Sequence, residues 1–315
     1  MRVRIRTPSR IHITLIDLNG EIGRVDGGVG LTLDSPGIEL VARESDGVVV
    51  RGEGESLKRF EDVAKIFAEK FGRGIEVEVK ESYPSHIGLG SGTQTSLAVG
   101  VAYCRLYGID MSPRDVAVLT GRGGTSGIGV AAFESGGLIV DGGHSRREKP
   151  GFLPSSFSRA RPAPVISRLG FPEDWDVYLF IPEGKGFYGM REKDLFERNT
   201  PLPLEEVREL SHLILMKLLP SVVEHDLDGF AEAVYRIQHL GFKRAEVMQY
   251  GDLISGAIEE LREYGAVGMS STGPTVYFIG EKEGVEAGKA YFSERWVDVG
   301  VVKTKARNRG ADVEV

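Results

Sequence analysis

The chain of 315 residues contains a single cysteine, Cys104. That excludes an internal disulfide and any metal site built from several cysteines. Cys104 falls in an apolar stretch, where a buried thiol serves as a small hydrophobe and not as a nucleophile. Side-chain amides are scarce too: Asn19, Asn199 and Asn308, with Gln94, Gln238 and Gln249, against 39 Lys and Arg and 46 Asp and Glu. Few thermolabile amides among many charges is the composition of heat-stable proteins. No apolar run reaches the roughly 20 residues that a membrane-spanning helix needs. The first six residues alternate basic and apolar, unlike a signal peptide, so the expected location is the cytoplasm. With a net charge of −7 the chain lacks the basic field that would draw nucleic acid or an anionic membrane.

Several motifs are missing as well. There is no Gly-x-x-x-x-Gly-Lys-Ser/Thr and no His-Glu-x-x-His, and His12, His86, His144, His212, His225 and His239 show no ligand spacing. Gly127-Ile128-Gly129-Val130-Ala131-Ala132 fits a dinucleotide pattern in form, but it follows a glycine cluster instead of a strand.

Glycine, by contrast, is abundant and clustered. Gly88, Gly90 and Gly92 sit in a turn that runs through Ser91 and Thr93 into a helix expected to reach Tyr107. Such a loop lets the backbone approach a ligand and delivers a helix N-terminus with open N–H groups, a phosphate site. A second cluster follows a strand at 10–16, whose period-2 pattern puts Arg10 and His12 on one face and Ile11, Ile13 and Leu15 on the other. The glycine-rich turn after it carries Asp17, Arg24 and Asp26. Arg24 offers a fixed fork for phosphate or carboxylate; Asp17 and Asp26 either hold Mg²⁺ brought by a diphosphate or cap turns. Arg122, Gly123, Gly124, Thr125 and Ser126 form a third cluster, and the loop from Ser270 to Thr275 a fourth. Together they predict a cleft for a ligand with more than one phosphate.

Periodicity predicts strands at 3–6, 10–16, 38–43, 47–51, 75–80 and 136–141, with helices at 57–71, from the glycine loop to about 107, and from Ser112 to about 120. The later half reads as strands at 177–181, 266–269, 275–279 and 297–302, with helices at 204–219, 227–240, 253–264 and 286–292. Five prolines between 144 and 174 mark an irregular connection. The class is α+β, with domains at 1–170 and 171–315. The alternating basic residues of 303–310 read as a solvated strand edge.

The Ile87–Ser96 loop resembles the phosphate loop of the GHMP kinase superfamily, and Ser271-Thr272-Gly273-Pro274-Thr275-Val276 resembles its third motif. The resemblance implies an N-terminal domain like domain 2 of ribosomal protein S5 and a ferredoxin-like C-terminal domain. One departure matters. In many members Ser-Gly-Ile/Leu-Asp carries a catalytic aspartate; here Ser126-Gly127-Ile128 is followed by Gly129. An ATP-dependent small-molecule kinase is therefore the alternative reading. The segments from Ser9 to Gly30 and from Arg122 to His144 more specifically resemble the archaeal β-ribofuranosylaminobenzene 5′-phosphate synthases of tetrahydromethanopterin biosynthesis. That resemblance implies condensation of phosphoribosyl diphosphate with 4-aminobenzoate or 4-hydroxybenzoate, loss of CO₂ and diphosphate, Mg²⁺, and a homodimer. Asp17 and Arg24 are then the expected catalytic residues, with Asp17 either at the metal or facing the positive charge on the ribose. Arg10, His12, Asp26, Gly88, Gly90, Ser91, Gly92, Thr93, Arg122, Gly123, Gly124, Thr125 and Ser126 are the expected substrate contacts.

Overall fold

Two long strands frame the N-terminal half. β1 (Arg2–Asp17) and β2 (Arg24–Ser45) pair antiparallel from Arg2↔Arg43 to Asp17↔Asp26. The computed structural model describes residues 1–53, 57–184 and 186–315. Where alternation suggested two short strands, the chain runs straight through Pro8, with register shifts at Thr7/Ser9 and His12/Thr14. The glycine-rich stretch read as a turn after Arg24 is instead the first part of β2, with Gly28 and Gly30 paired to Leu15 and His12.

β3 (Val48–Arg51), α1 (Leu57–Phe71) and β4 (Gly74–Glu81) form a parallel crossover on the far side of β2. α2 (Ser91–Tyr107), α3 (Pro113–Leu119) and α4 (Ile128–Glu134) follow; α3 opens on Ser112, whose side chain forms a capping box with Asp115. Phe60, Phe67, Leu97 and Tyr103 from these helices pack on Ile11, Ile13 and Leu31 of the sheet. β5 (Leu138–Asp141), β6 (His144–Ser145) and β7 (Val165–Leu169) complete the sheet beside β2. The proline-rich connection therefore contains a strand that patterning passed over.

β8 (Asp176–Pro182) starts a second sheet. α5 (Met190–Asn199) and α6 (Leu204–Leu213) follow, then a π-helical turn at Ile214–Leu218, α7 (Leu219–Glu224), α8 (Leu227–Gln238), α9 (Gly241–Met248) and α10 (Asp252–Leu261). β9 (Gly265–Met269), β10 (Val276–Gly280), α11 (Lys282–Glu294) and β11 (Val299–Lys305) complete the layer, in the antiparallel order β11-β8-β10-β9. Phe180, Phe278, Phe292 and Ile258 fill the space under α10 and α11. On the other face, Leu210, Leu218 and Phe230 join the same core as the first sheet. β12 (Asp312–Glu314) then returns to β1. The tail is not simply a solvated edge: Arg307 is buried and bridges Asp34 and Asp312 at 2.7 and 2.9 Å, while Lys303 and Lys305 stay exposed.

Candidate active site

The glycine loop lies where the two halves meet. Gly90 caps α2 in a left-handed conformation, φ 82°, with no side-chain hydrogen bond to the helix end. The first N–H groups of α2 are thus left to the cleft. Gly88 also has positive φ, and a Cβ there would lie 2.4 Å from the Ser270 carbonyl oxygen, so only glycine fits. Across the helix start stand two guanidinium groups. Idealised side-chain growth from Gly92 would meet Arg59 Nη1 at 3.1 Å and Arg122 Nη1 at 3.3 Å. Arg59 donates to Ser85 Oγ and Arg122 to Ser96 Oγ. Burial, then repulsion from Arg59, lowers the Arg122 pKa. Two cations facing one helix N-terminus make an anion cradle.

The floor comes from β1 and the C-terminal half. Arg10 reaches the Gly88 carbonyl and lies against Gly90. The loop between β9 and β10 is stitched to it. Ser270 Oγ donates to Gly88 O at 2.8 Å and accepts from His12 N at 3.0 Å; Ser271 N donates to His12 O, and Thr275 Oγ1 to Ile87 O. Beneath this loop, fully buried Lys243 donates to the carbonyls of Met269 and Ser271 and pairs with Glu246. The cleft has a volume of 410 Å³. It shares Arg59, His86, Arg122 and Tyr188 with a wider groove of 970 Å³.

His12 and Ser126 meet at the cleft wall, with His12 Nε2 3.1 Å from Ser126 Oγ. Asp141 Oδ2 accepts from Ser126 Oγ at 3.2 Å and from Gly127 N at 2.9 Å, and Oδ1 accepts from Gly143 N. With the Ser126 hydroxyl donating to Asp141, its oxygen is left to accept, and the network assigns the His12 proton to Nε2. Burial, helped by Arg10 and Lys243, drops the His12 pKa well below its usual value, so the ring is neutral. Burial lifts the Asp141 carboxyl to about 6 despite those hydrogen bonds.

Asp26 does not face the cleft. Its buried carboxylate is taken by Lys149 and by His144 Nδ1, the latter at 2.6 Å. Lys149 also donates to Thr125 Oγ1 and Leu153 O, so the cluster ties the connection after β6 to the wall. Asp17 and Arg24 are likewise not among the residues lining the cleft. Asp17 Oδ1 caps the turn by accepting from Asn19 N and Gly20 N; Arg24 donates to the carbonyls of Gly142 and Gly143. Gly123 and Gly124 fit against Pro162 and Ser158 instead of lining the cavity. Arg10, His12, Gly88, Gly90, Ser91, Gly92, Thr93, Arg122, Thr125 and Ser126 do converge there. The sequence reading missed Arg59, Lys243, Glu192 and Glu246. Arg59 and Lys243 look like ordinary solvated charges on amphipathic helices, and no local pattern marks them.

The fold and the cradle define the class. Residues 57–137 match the family described as GHMP kinases N terminal domain, and residues 218–298 match GHMP kinases C terminal. The fold is shared with homoserine kinase from Cytophaga hutchinsonii, TM-score 0.67 at 17% identity, covering 99% of this chain and 97% of that one. It is shared too with mevalonate kinase from Methanococcus jannaschii, TM-score 0.65 at 11% identity, covering 97% and 98%. Much stronger likeness lies elsewhere. The chain is 59% identical to the β-ribofuranosylphenol 5′-phosphate synthase of Archaeoglobus fulgidus, over 99% of this chain and 100% of that protein. It is 43% identical to the one from Methanocaldococcus jannaschii, over 97% and 98%. The chain belongs to the β-ribofuranosylphenol 5′-phosphate synthase family, within the GHMP kinase superfamily.

Proposed function

We propose that this enzyme joins the phosphoribosyl group of phosphoribosyl diphosphate to a 4-substituted benzoate, releasing CO₂ and diphosphate, in methanopterin biosynthesis. The phenol in its relatives' names makes 4-hydroxybenzoate the acceptor of choice. One observation supports this reading over phosphoryl transfer. Gly129 stands where kinases of the superfamily carry their aspartate, and a Cβ there would already lie 3.2 Å from Thr93 Cγ2. The cradle thus grips phosphate with no carboxylate at the position from which those kinases activate their acceptor hydroxyl.

In this reading the α2 N-terminus, Arg59 and Arg122 hold the diphosphate and stabilise its charge as the bond to ribose C1 breaks. The ring carbon bearing the carboxylate attacks C1, and loss of CO₂ restores aromaticity. The cradle holds the two reactants in register, an effect worth several kcal/mol. Among the described residues no three His, Cys, Asp or Glu side chains gather to hold a metal. Ser91 and Thr93, which line the cleft, would offer hard oxygens to Mg²⁺ carried by the diphosphate, and the ion would supply charge neutralisation there. Asp17 and Arg24 act at one remove. Arg24 steadies the Gly142–Gly143 turn whose amide holds Asp141, and Asp17 shapes the turn under Leu18. A homodimer and a cytoplasmic setting complete the proposal, resting on the family resemblance.

The test is incubation with phosphoribosyl diphosphate, Mg²⁺ and carboxyl-labelled 4-hydroxybenzoate. Labelled CO₂ released only when both substrates are present is the expected result. ATP hydrolysis without CO₂ release would overturn it.

A further inference from the structure

The cleft has a chemically distinct end. Arg59 and Arg122 line both the cleft and the wider groove, but Leu15, Phe187, Glu192 and Phe196 line the cleft alone. Leu15 and Phe196 meet in one apolar cluster, and Phe187 and Glu192 line the cleft with them. Phe196 is fixed on Phe242, with ring centroids 4.4 Å apart, and Phe187 stands edge-on to Tyr250 at 5.2 Å. Leu15 and Phe196 belong to one apolar cluster with Leu18, Leu202 and Phe242. Glu192 precedes Phe196 by four residues on α5, so both project from one helix face. No hydrogen bond or ion pair engages the Glu192 carboxyl among the described residues, in contrast to Glu246, which is paired with Lys243.

We propose that this end seats the ring of the aromatic acid against Leu15, Phe187 and Phe196, and that Glu192 exchanges the proton of its para hydroxyl. The inference rests on the reading above and extends it. As the ring carbon forms its bond to ribose C1 and the bond from C1 to diphosphate breaks, the hydroxyl proton passes to the Glu192 carboxylate. The ring becomes a neutral dienone that still carries its carboxylate. The bond to CO₂ then breaks, its electron pair rebuilds the aromatic ring, and Glu192 returns the proton to oxygen. The apolar wall favours loss of the charged carboxylate as neutral CO₂. An amino group in the para position would use the same carboxyl.

The charges that face Glu192 suit the task. Arg10 approaches from β1, Glu246 and its partner Lys243 from α9, while Lys193 on α5 itself is paired with Glu197. Arg191 lies over the Phe187 ring at 6.0 Å. Burial, with repulsion from Glu246, raises the Glu192 pKa to about 7, Arg10 opposing. Both protonation states are then accessible at neutral pH, as an exchanging group requires.

The experiment compares wild type, E192Q, E192D and F196A with 4-hydroxybenzoate and with 3,5-difluoro-4-hydroxybenzoate, whose phenol ionises more readily. Calorimetric binding of Mg²⁺-diphosphate verifies an intact cradle. E192Q should lower kcat about 100-fold with 4-hydroxybenzoate, clearly less with the fluorinated acid, and abolish the activity rise through pH 7. E192D should keep that rise, and F196A should raise KM for the acid and not for the sugar diphosphate. Equal losses with both acids, or wild-type turnover by E192Q, would overturn the role of Glu192; loss of the pH limb in E192D would do so too. If wild type itself releases no CO₂, the failure belongs to the function proposed above and not to this subsite.

Discussion

Lys149 Nζ lies 3.0 and 2.9 Å from the two carboxylate oxygens of Asp26, and both side chains are shut off from solvent. Removing Lys149 leaves that buried carboxylate to His144 and strips Thr125 Oγ1 and Leu153 O of their shared donor. Lys149→Met should therefore cost about 3–5 kcal/mol, read as a lower denaturant midpoint. A variant as stable as wild type would show that the pair does not anchor the segment after β6.

His144 shares the same carboxylate and gives a pH signature. Its Nδ1 meets Asp26 and its Nε2 the Arg161 carbonyl, both pure acceptors, so the ring carries two protons. Burial pulls its pKa down, but the hydrogen bond and charge of Asp26 outweigh that and raise it. The folded chain thus binds this proton more tightly than the unfolded chain. The resulting stabilisation is complete below about pH 6.5, the ordinary value, and is lost as pH rises through the folded pKa. Wild type should lose stability with rising pH more steeply than His144→Gln. Parallel curves for the two proteins would refute the assignment.

On the proposed function the arginine pair, Arg59 and Arg122, should set affinity for the diphosphate. Arg122→Ala and Arg59→Ala each remove a charge-assisted contact, worth about 1.5–3 kcal/mol. Calorimetry with Mg²⁺-diphosphate should show Kd rising by at least tenfold in each. Affinity unchanged in both would move the anion site elsewhere.

Gly88 allows no side chain. With its left-handed backbone and Ser270 oxygen 2.4 Å from a Cβ, Gly88→Ala forces the two loops apart. Activity and thermal stability should fall together, by contrast with Gly72→Ala, which has positive φ but nothing within 4 Å of a Cβ. An active, fully stable Gly88→Ala would contradict this packing.

Asp17 and Arg24 should behave as positioning residues. Arg24→Ala frees the Gly142–Gly143 turn and lets Asp141 and Ser126 drift, a displacement that can cost about 10²-fold in kcat. Asp17→Asn retains an acceptor for the turn and should cost much less. Steady-state kinetics decide: loss of diphosphate affinity in either variant would mark direct contact with the ligand instead.

The glycine loop was legible because Gly88, Gly90 and Ser91 leave few other uses for such a backbone, and α2 continues with small and apolar residues. Gly129 was legible as a departure, and the structure supplies its reason in Thr93. Alternation separated the two faces of β1 but could not show what covers the polar one: His12 and Thr14 are buried, and α6, α8 and α9, distant in sequence, contact the strand. α5 was invisible: Leu195 and Phe196 are its sole buried residues, and its place is set by α9 and β1. Asp26 and Asp17 showed the right chemistry, but spacing could not reveal that Lys149 and a turn amide had already claimed them.

The hydrogen bonds from the loop between β9 and β10 to His12, Ile87 and Gly88 have a mechanical consequence. They cross the line about which the two halves would have to hinge. Swinging the halves apart would break four of them at once and bare their polar groups. At this seam opening carries a cost, which favours a cleft already formed when a ligand arrives.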